Sequence, residues 1–244
     1  ALVGIMIAIT IELRLSMITC FKRVLKYLTQ GEWMKLGFLV DLHLCMGCKG
    51  CEIACKVENE VPLSTWRLRV KYVDVGTFPE TKRTFTPLRC NHCENAPCER
   101  ICPVSALHYI ENGIVNIDKE RCIGCAGCIM ACPYGAIYID PETQTADKCT
   151  YCAHRIASSM MPACVVACPV EANIFGDIED PTSNISKYII THQGGVQVRK
   201  PEKGTNPHHF YVGGGNVNLN PLASFRGDGH NLFGEIKTLP VGGH

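Results

Sequence analysis

Cysteine constrains this chain more than any other residue, because 17 of the 244 residues are cysteines and all but Cys20 fall into four groups. Each group, called a quartet here, opens with two cysteines three positions apart and closes with two cysteines four positions apart. In chain order the quartets are Cys45, Cys48, Cys51 and Cys55; Cys90, Cys93, Cys98 and Cys102; Cys122, Cys125, Cys128 and Cys132; and Cys149, Cys152, Cys164 and Cys168. Thiols crowded at this spacing suit metal binding better than disulfide pairing.

The third quartet, followed by Pro133, has the spacing of a bacterial ferredoxin. A [4Fe–4S] cluster needs four thiolates at the corners of a small tetrahedron, and a tight loop with a cysteine at every third residue supplies three of them. Gly124 and Gly127 let the backbone turn close to the cluster. Since every quartet offers four thiolates, we predict four [4Fe–4S] clusters and no [3Fe–4S] cluster.

Two other interpretations of the cysteines are weaker. Secreted disulfide scaffolds are usually short chains with more than roughly 8% cysteine. Repeated Cys-x-x-Cys pairs also make zinc sites, but three of the four quartets here end in Cys-Pro, which favours iron–sulfur clusters. The net charge of +1 gives no argument for a nucleic-acid partner. No nucleophile–base pair stands out, so we expect an electron carrier without an active site of its own.

The quartets repeat beyond their cysteines. Three of them run on as Cys102-Pro103-Val104-Ser105-Ala106, Cys132-Pro133-Tyr134-Gly135-Ala136 and Cys168-Pro169-Val170-Glu171-Ala172, each followed by apolar residues. Glu111-Asn112-Gly113 is a strong hairpin signal after the second quartet, and Pro141-Glu142-Thr143 is a similar signal after the third. The repeat is therefore a cluster loop, a short helix and a small hairpin. Two such units make one bacterial ferredoxin, so we predict an α+β fold with two ferredoxin-like modules in one compact body.

The ferredoxin rule, in which the fourth cysteine of each run binds the other cluster of its pair, predicts the ligand sets. We pair the second quartet with the third, because they are close and similar, and the first with the fourth. The resulting sites are site 1 (Cys45, Cys48, Cys51, Cys168), site 2 (Cys149, Cys152, Cys164, Cys55), site 3 (Cys90, Cys93, Cys98, Cys132) and site 4 (Cys122, Cys125, Cys128, Cys102). Four cations lie next to ligands: Lys49, Lys56, Lys148 and Arg155. Their positive charge would favour a reduced cluster, or they are ordinary cations of a surface or an interface.

The segments outside the cluster loops divide the chain further. Residues 35–44 are expected to form a strand, and residues 56–89 an inserted β-hairpin with a turn at Gly76 to Pro79. The cluster domain is expected to span 34–193, after an amphipathic N-terminal extension (1–33) whose helix carries Cys20 near its apolar face. Residues 194–244, rich in Gly, Pro and Asn, are expected to form an extended arm. Its histidines, His208, His209, His230 and His244, are expected at the surface. No apolar run is long enough for a transmembrane segment.

Several motifs resemble the iron–sulfur subunit of polysulfide, thiosulfate and arsenate reductases, a family of complex iron–sulfur molybdoenzymes. The motifs are Leu39-Val40-Asp41, Cys45-Met46-Gly47-Cys48-Lys49-Gly50-Cys51-Glu52-Ile53-Ala54-Cys55, Glu58-Asn59-Glu60-Val61-Pro62, Cys90-Asn91-His92-Cys93-Glu94-Asn95-Ala96-Pro97-Cys98 and Lys148-Cys149-Thr150-Tyr151-Cys152-Ala153-His154-Arg155. The likeness continues through Pro162-Ala163-Cys164, Gly176-Asp177-Ile178-Glu179-Asp180-Pro181 and Arg199-Lys200-Pro201-Glu202, and covers about residues 35–212.

The resemblance implies an electron-transfer subunit in anaerobic respiration of a sulfur compound or oxyanion. Its partners would be a large molybdenum or tungsten bis-pterin catalytic subunit and an integral membrane subunit that exchanges electrons with quinone. The cluster on Cys45, Cys48 and Cys51 would face the catalytic subunit, and the cluster on Cys149, Cys152 and Cys164 would lie at the module's opposite end or near it. The protein would associate with the membrane through its partners, on the extracytoplasmic side by co-translocation or on the cytoplasmic side. A formate dehydrogenase or hydrogenase relay and a free polyferredoxin are the alternatives.

Overall fold

The structure is a computed structural model, and it describes residues 34–77 and 79–213. Its helices are α1 (Gly50–Glu58), α2 (Pro97–Arg100), α3 (Gly127–Ala131), α4 (Ala153–Ala157), α5 (Ala163–Val166) and α6 (Asn184–Thr191). Its strands are β1 (Leu36–Asp41), β2 (Arg69–Thr77), β3 (Glu80–Leu88), β4 (Leu107–Ile110), β5 (Ile114–Ile117), β6 (Ile137–Ile139), β7 (Ala146–Lys148), β8 (Asn173–Asp177), β9 (Val196–Gln197) and β10 (His209–Val212). The mixture of short helices and small sheets agrees with the predicted α+β class. The predicted N-terminal helix and Cys20 lie outside the described residues.

A four-stranded sheet, in the order β8-β1-β10-β9, connects the beginning and the end of the cluster-binding region. β1 runs antiparallel to β8, with Phe38 opposite Phe175, and parallel to β10, with Phe38 opposite His209. Every residue of β1 is buried, as expected for a largely apolar strand covered on both faces. Because β1 leads into the first quartet and β8 follows the fourth, this sheet places those two quartets next to each other.

The predicted insertion is a long antiparallel hairpin formed by β2 and β3. The pairing runs from Arg69 opposite Leu88 to Thr77 opposite Glu80, so two residues connect the strands. The strand and its return are therefore confirmed, and Pro79 lies in the connection as predicted, whereas Gly76 lies within β2 opposite Thr81. The insertion begins later than position 56, because α1 continues through Lys56 to Glu58.

The repeated Cys-Pro frame has the same backbone each time it occurs. Helices α2, α3 and α5 end just before it, since the residue preceding a proline disfavours the helical region. Three residues after each cysteine the backbone is left-handed, and that residue donates its N–H to the cysteine carbonyl. The pairs are Ser105 with Cys102, Gly135 with Cys132 and Glu171 with Cys168. The first quartet has Lys56 in place of proline, and α1 continues past Cys55 for that reason.

The hairpins that were predicted after the second and third quartets are present. β4 pairs with β5, and β6 pairs with β7, both antiparallel. Asn112 and Gly113 have φ angles of 65° and 72°, which is the left-handed geometry that makes an Asn-Gly turn signal specific.

The quartets are grouped by packing of their helices. α1 of the first quartet packs against α5 of the fourth, and α2 of the second packs against α3 of the third. One buried cluster includes Cys51, Cys55, Cys149 and Cys164, together with Cys90, and another includes Cys93, Cys98, Cys128 and Cys132. The helices thus pair quartet one with four and quartet two with three, whereas Cys90 of the second quartet lies in the buried group of quartets one and four.

Part of the predicted C-terminal arm belongs to the central sheet. Residues 209–212 form β10 beside β1, and residues 196–197 form β9 beside β10. Tyr211 is fully buried because the short apolar run Phe210 to Val212 fills a strand position that local composition did not reveal. The prediction of surface histidines is wrong for His208 and His209, which are 5% and 1% exposed. His230 and His244 lie outside the described residues.

Candidate iron–sulfur centres

The loops of the first and third quartets share one backbone shape. Gly47 and Gly124 have φ angles of 70° and 67°, and the residues two positions later, Lys49 and Ala126, have φ angles of 60° and 61°. A Cβ atom on Gly47 would lie 2.3 Å from the Phe85 ring, and one on Gly124 would lie 2.5 Å from the carbonyl oxygen of Gln144. Glycine is therefore required by both conformation and space, and the loop can wrap closely around a bound group.

Site 2 surrounds a small cavity. Cys149, Cys152 and Cys164 of the fourth quartet line it together with Cys55 of the first quartet. The structure thus brings together the four cysteines that the ferredoxin rule assigns to site 2, although Cys55 and Cys149 are far apart in sequence.

Site 4 surrounds a second small cavity. Cys122, Cys125 and Cys128 of the third quartet line it together with Cys102 of the second. The rest of the lining is apolar and includes Leu107 and Ile117. The backbone N–H groups of Ala106 and Ala146 lie 3.2 Å and 3.3 Å from the sulfurs of Cys102 and Cys122, respectively, so two thiols already accept hydrogen bonds.

The cysteines assigned to site 1 are close enough to influence one another. Burial raises the pKa of Cys45, and the neighbouring thiols of Cys168 and Cys48 add to the rise. Burial likewise raises the pKa of Cys51 to about 11, with Cys45 and Cys168 again among the contributors. A Cβ atom on Gly50 would lie 3.2 Å from the carbonyl oxygen of Ala167, so the backbone next to Cys168 lies against the first quartet.

The cysteines assigned to site 3 show the same mutual influence. Burial raises the pKa of Cys93 and of Cys98 to about 12, and Cys90 and Cys132 contribute to both shifts. Cys132, from the third quartet, belongs to the same buried group as Cys93 and Cys98 of the second quartet. Thiols with such raised pKa values need a positively charged metal centre to hold them as thiolates.

The donor set fits an iron–sulfur cluster. All sixteen cysteines of the described residues are free thiols rather than disulfides. Over residues 34–77 and 79–213, no three His, Cys, Asp or Glu side chains converge closely enough to hold a single metal ion. Thiols that surround a cavity instead of converging on one point suit a cubane better than a tetrahedral zinc ion, whose sulfur ligands lie about 2.3 Å from the metal.

A buried guanidinium provides an independent test of whether the residues fit an iron–sulfur cluster. Arg89 is 2% exposed, and within the described part of the chain no carboxylate forms an ion pair with it. Its Nη1 donates to the sulfur of Cys164 at 3.2 Å, and its Nη2 donates to the side-chain oxygen of Asn173. A buried cation without a counter-charge is costly. An anionic cluster held by Cys164 would supply that charge.

The four sites differ in exposure and form a sequence. Among the sixteen cysteines only Cys48 of site 1 and Cys125 of site 4 are exposed. Sites 2 and 3 are interior, since Cys90, Cys149 and Cys164 are buried. Cys51 of site 1, Cys164 of site 2 and Cys90 of site 3 belong to one buried group, and Cys93 of site 3 shares the other buried group with Cys128 of site 4. These neighbours give the order site 1, site 2, site 3, site 4, with an exposed site at each end.

Asn59 is a polar neighbour of site 2 that sequence reasoning did not identify. Its amide nitrogen lies 3.8 Å from the sulfur of Cys55 and 3.9 Å from that of Cys152. Arg67 donates to the Asn59 oxygen at 2.8 Å and orients the amide so that its nitrogen faces the sulfurs. Asn59 follows the last residue of α1, and its place in the motif Glu58 to Pro62 was the available signal.

The four predicted cations have different surroundings. Lys49 lies over the Tyr72 ring, Lys56 lies over the Trp66 ring, and Arg155 forms an ion pair with Glu58 at 2.8 Å. Lys148 differs because it is fully buried, and its ammonium donates to the backbone carbonyls of Val115 and Cys149. Sequence reasoning noticed Lys148 but overlooked Arg89, which directly precedes Cys90.

The described residues, 34–77 and 79–213, include no helix with the length and apolar character needed to cross a membrane.

Comparison with known families agrees with this geometry. Residues 42–58 match the model of a 4Fe-4S binding domain, and residues 81–178 match that of a 4Fe-4S dicluster domain. The first segment contains the first quartet, and the second contains the other three.

Known relatives extend the match beyond the cluster loops. The protein is 44% identical to the B component of tetrathionate reductase from Salmonella typhimurium, over 77% of its own length and 76% of the relative's. It is 42% identical to the B component of polysulfide reductase from Wolinella succinogenes, over 73% of its own length and 94% of the relative's. It is 35% identical to the arsenate respiratory reductase iron-sulfur subunit of a Shewanella species, over 73% of its own length and 96% of the relative's.

Proposed function

Because the protein belongs to the family of iron–sulfur electron-transfer subunits of molybdoenzyme reductases, we propose that it relays single electrons through four [4Fe–4S] clusters between a molybdopterin catalytic subunit and a membrane quinone-reactive subunit. The observation that carries the proposal is the convergence of cysteines from two different quartets on one cavity at site 2 and again at site 4. Such crossed ligation keeps two clusters close together within one module.

The proposed ligands are the sixteen cysteines, four at each of sites 1 to 4. A bound cluster supplies one-electron chemistry at each site. The chain's own residues hold it, exclude water from the interior sites and provide hydrogen-bond donors to the sulfurs. Asn59 and the N–H groups of Ala106 and Ala146 are the donors near the sulfurs at sites 2 and 4.

The two ends of the relay have the exposure that electron entry and exit require. Cys48 at site 1 is exposed beside Leu44 and Met46, and Cys125 at site 4 is exposed beside Ile123. Exposed apolar side chains next to a redox centre suit a protein partner that covers them. Following the family resemblance, we assign site 1 to the catalytic subunit, and site 4 then faces the membrane subunit.

We propose reduction of a sulfur compound or an oxyanion as the terminal reaction, and relatives whose names cite tetrathionate, polysulfide and arsenate support this choice. Membrane association is proposed to come from the partner subunits, with the extracytoplasmic side favoured because related complexes can cross the membrane folded.

Purification of the tagged chain from solubilised membranes of its host tests the proposal. We expect a larger pterin-containing subunit and an integral membrane subunit to co-purify. A complex depleted of iron in this chain should lose quinol-driven substrate reduction, while a soluble viologen donor still drives the catalytic subunit. A freely diffusing monomer, or unchanged quinol-driven activity after iron depletion, would contradict the relay.

A further inference from the structure

The interior sites 2 and 3 each have one fully buried cation. Each of these cations comes from the segment that leads into the other interior site. Arg89 directly precedes Cys90, the first cysteine of site 3, yet its guanidinium contacts Cys164 of site 2 at 3.2 Å. Lys148 directly precedes Cys149, the first cysteine of site 2, and its ammonium donates both to the carbonyl of Cys149 at 3.1 Å and to the carbonyl of Val115. Val115 belongs to the buried group that contains Cys93 and Cys98 of site 3.

Neither cation has a carboxylate to balance its charge. Arg89 and Lys148 are 2% and 0% exposed, and among the described residues neither forms an ion pair with a carboxylate. A bound anionic cluster at each interior site would provide the missing opposite charge.

We propose that Arg89 and Lys148 set the reduction potentials of the two interior clusters, with Arg89 acting on site 2 and Lys148 acting on site 3. The inference rests on the proposed relay function and on the ligand sets given above.

The physical reason is the difference in solvation along the relay. Each hop transfers one electron from one site to the next, with no bond formed or broken and no proton transferred. Water can stabilise the added charge at the exposed end sites, near Cys48 and Cys125. The interior sites lack that solvent, so an added electron would be disfavoured there unless a fixed positive charge lies nearby. Arg89 suits this role because its guanidinium stays protonated in proteins.

The position before a quartet also provides a matched control. Arg121 precedes Cys122 of the third quartet, as Arg89 precedes Cys90, but Arg121 is exposed. Its charge is screened by water and salt, so its removal should have little effect on a cluster. Arg89 and Arg121 therefore have the same position relative to their quartets and differ in burial.

The test is a redox titration, followed by electron paramagnetic resonance, of the full chain purified anaerobically with its clusters. Arg89→Gln should lower the midpoint potential of one cluster signal by at least the equivalent of a tenfold change in its reduction equilibrium, or about 59 mV for one electron. Lys148→Gln should lower a different signal by a similar amount. Arg89→Lys and Lys148→Arg should recover most of each shift, and Arg121→Gln should leave all signals in place.

Unshifted potentials in iron-replete Arg89→Gln and Lys148→Gln proteins would overturn the inference, and so would a shift of the same signal by both. If the glutamine variants lose iron, the Arg89→Lys and Lys148→Arg variants decide whether the positive charge has the proposed role. Retained iron with near wild-type potentials supports a role of the charge, and loss of iron there too contradicts it. A wild-type chain without [4Fe–4S] signals would instead contradict the proposed function itself.

Discussion

The Arg67 guanidinium and the Asp147 carboxylate form a two-pronged ion pair, with both N–O distances at 2.8 Å. The side chains are only 9% and 2% exposed, so the pair fastens the inserted hairpin segment to β7 in a low-dielectric setting. Arg67 also reaches Asn59, which connects this pair to the sulfurs of site 2. The inserted region is therefore tied to a cluster site by charge as well as by packing.

Removal of one partner should destabilise the protein. Arg67→Met removes the guanidinium partner of the buried Asp147 and leaves it with the Tyr138 hydroxyl and with Lys119 at 4.0 Å. Breaking a buried ion pair typically costs about 3–5 kcal/mol. In a domain of this size 1 kcal/mol corresponds to about 2–4 °C in melting temperature, so cluster absorbance should be lost at a temperature lower by at least about 6 °C. The exposed pair Arg83 and Asp74, on the hairpin itself, is the control, and Arg83→Met should cause no resolvable change. Equal shifts for the two variants would contradict this account.

Gly124→Ala should selectively damage site 4. The new Cβ would meet a backbone oxygen at 2.5 Å in a left-handed conformation that costs L residues about 1–2 kcal/mol. We expect loss of about a quarter of the bound iron, measured per chain after anaerobic purification. Gly204→Ala is the matched control, because Gly204 also has a positive φ but has open space around its Cβ position. Full iron content in the Gly124→Ala protein would show that the loop tolerates a side chain.

Crossed ligation predicts which cysteine substitutions should resemble each other. Cys55→Ser should perturb the same paramagnetic signal as Cys152→Ser, because both sulfurs face the site 2 cavity. It should leave unchanged the signal that Cys48→Ser perturbs, although Cys48 is the nearer residue in sequence. The opposite pattern, with Cys55 and Cys48 affecting one signal, would mean that each quartet binds its own cluster.

His208 should make stability depend on pH. Burial lowers its pKa from the usual 6.5 to about 4, so the unfolded state binds the proton more readily than the folded state. The stability associated with neutral His208 is present above about pH 6.5 and is lost as the pH falls toward 4. His208→Gln should flatten this part of the profile, measured as the difference in melting temperature from the wild type at each pH. Parallel profiles for the two proteins would contradict the assignment.

Much of the fold could be predicted because its signals are local. The cysteine spacing, the Cys-Pro frames and the Asn112-Gly113 turn each depend on neighbouring residues only. Strand β10 could not be predicted in this way, since its place beside β1 depends on a partner about 170 positions earlier, with Val40 opposite Tyr211. The burial of His209 follows from the same pairing.

In the candidate site too, the residues with a local sequence signal could be predicted and those placed by the fold could not. The ligand sets are predictions from a known rule of ferredoxin topology, and in the structure the cysteines of site 2 line one cavity and those of site 4 line another. Arg89 was missed because nothing in its sequence surroundings distinguishes it from the exposed Arg121. Only the three-dimensional arrangement shows that Arg89 lies against Cys164 and Asn173, far from its neighbours in sequence.

The most direct test of the central claim is the amount and form of iron in the full chain, purified under strict exclusion of oxygen. Four cubanes predict about sixteen iron atoms and as much acid-labile sulfide per chain, with Mössbauer spectra of the [4Fe–4S] type only. A colourless protein, a chain that holds zinc in place of iron, or reproducibly fewer than four cubanes per chain would contradict the account.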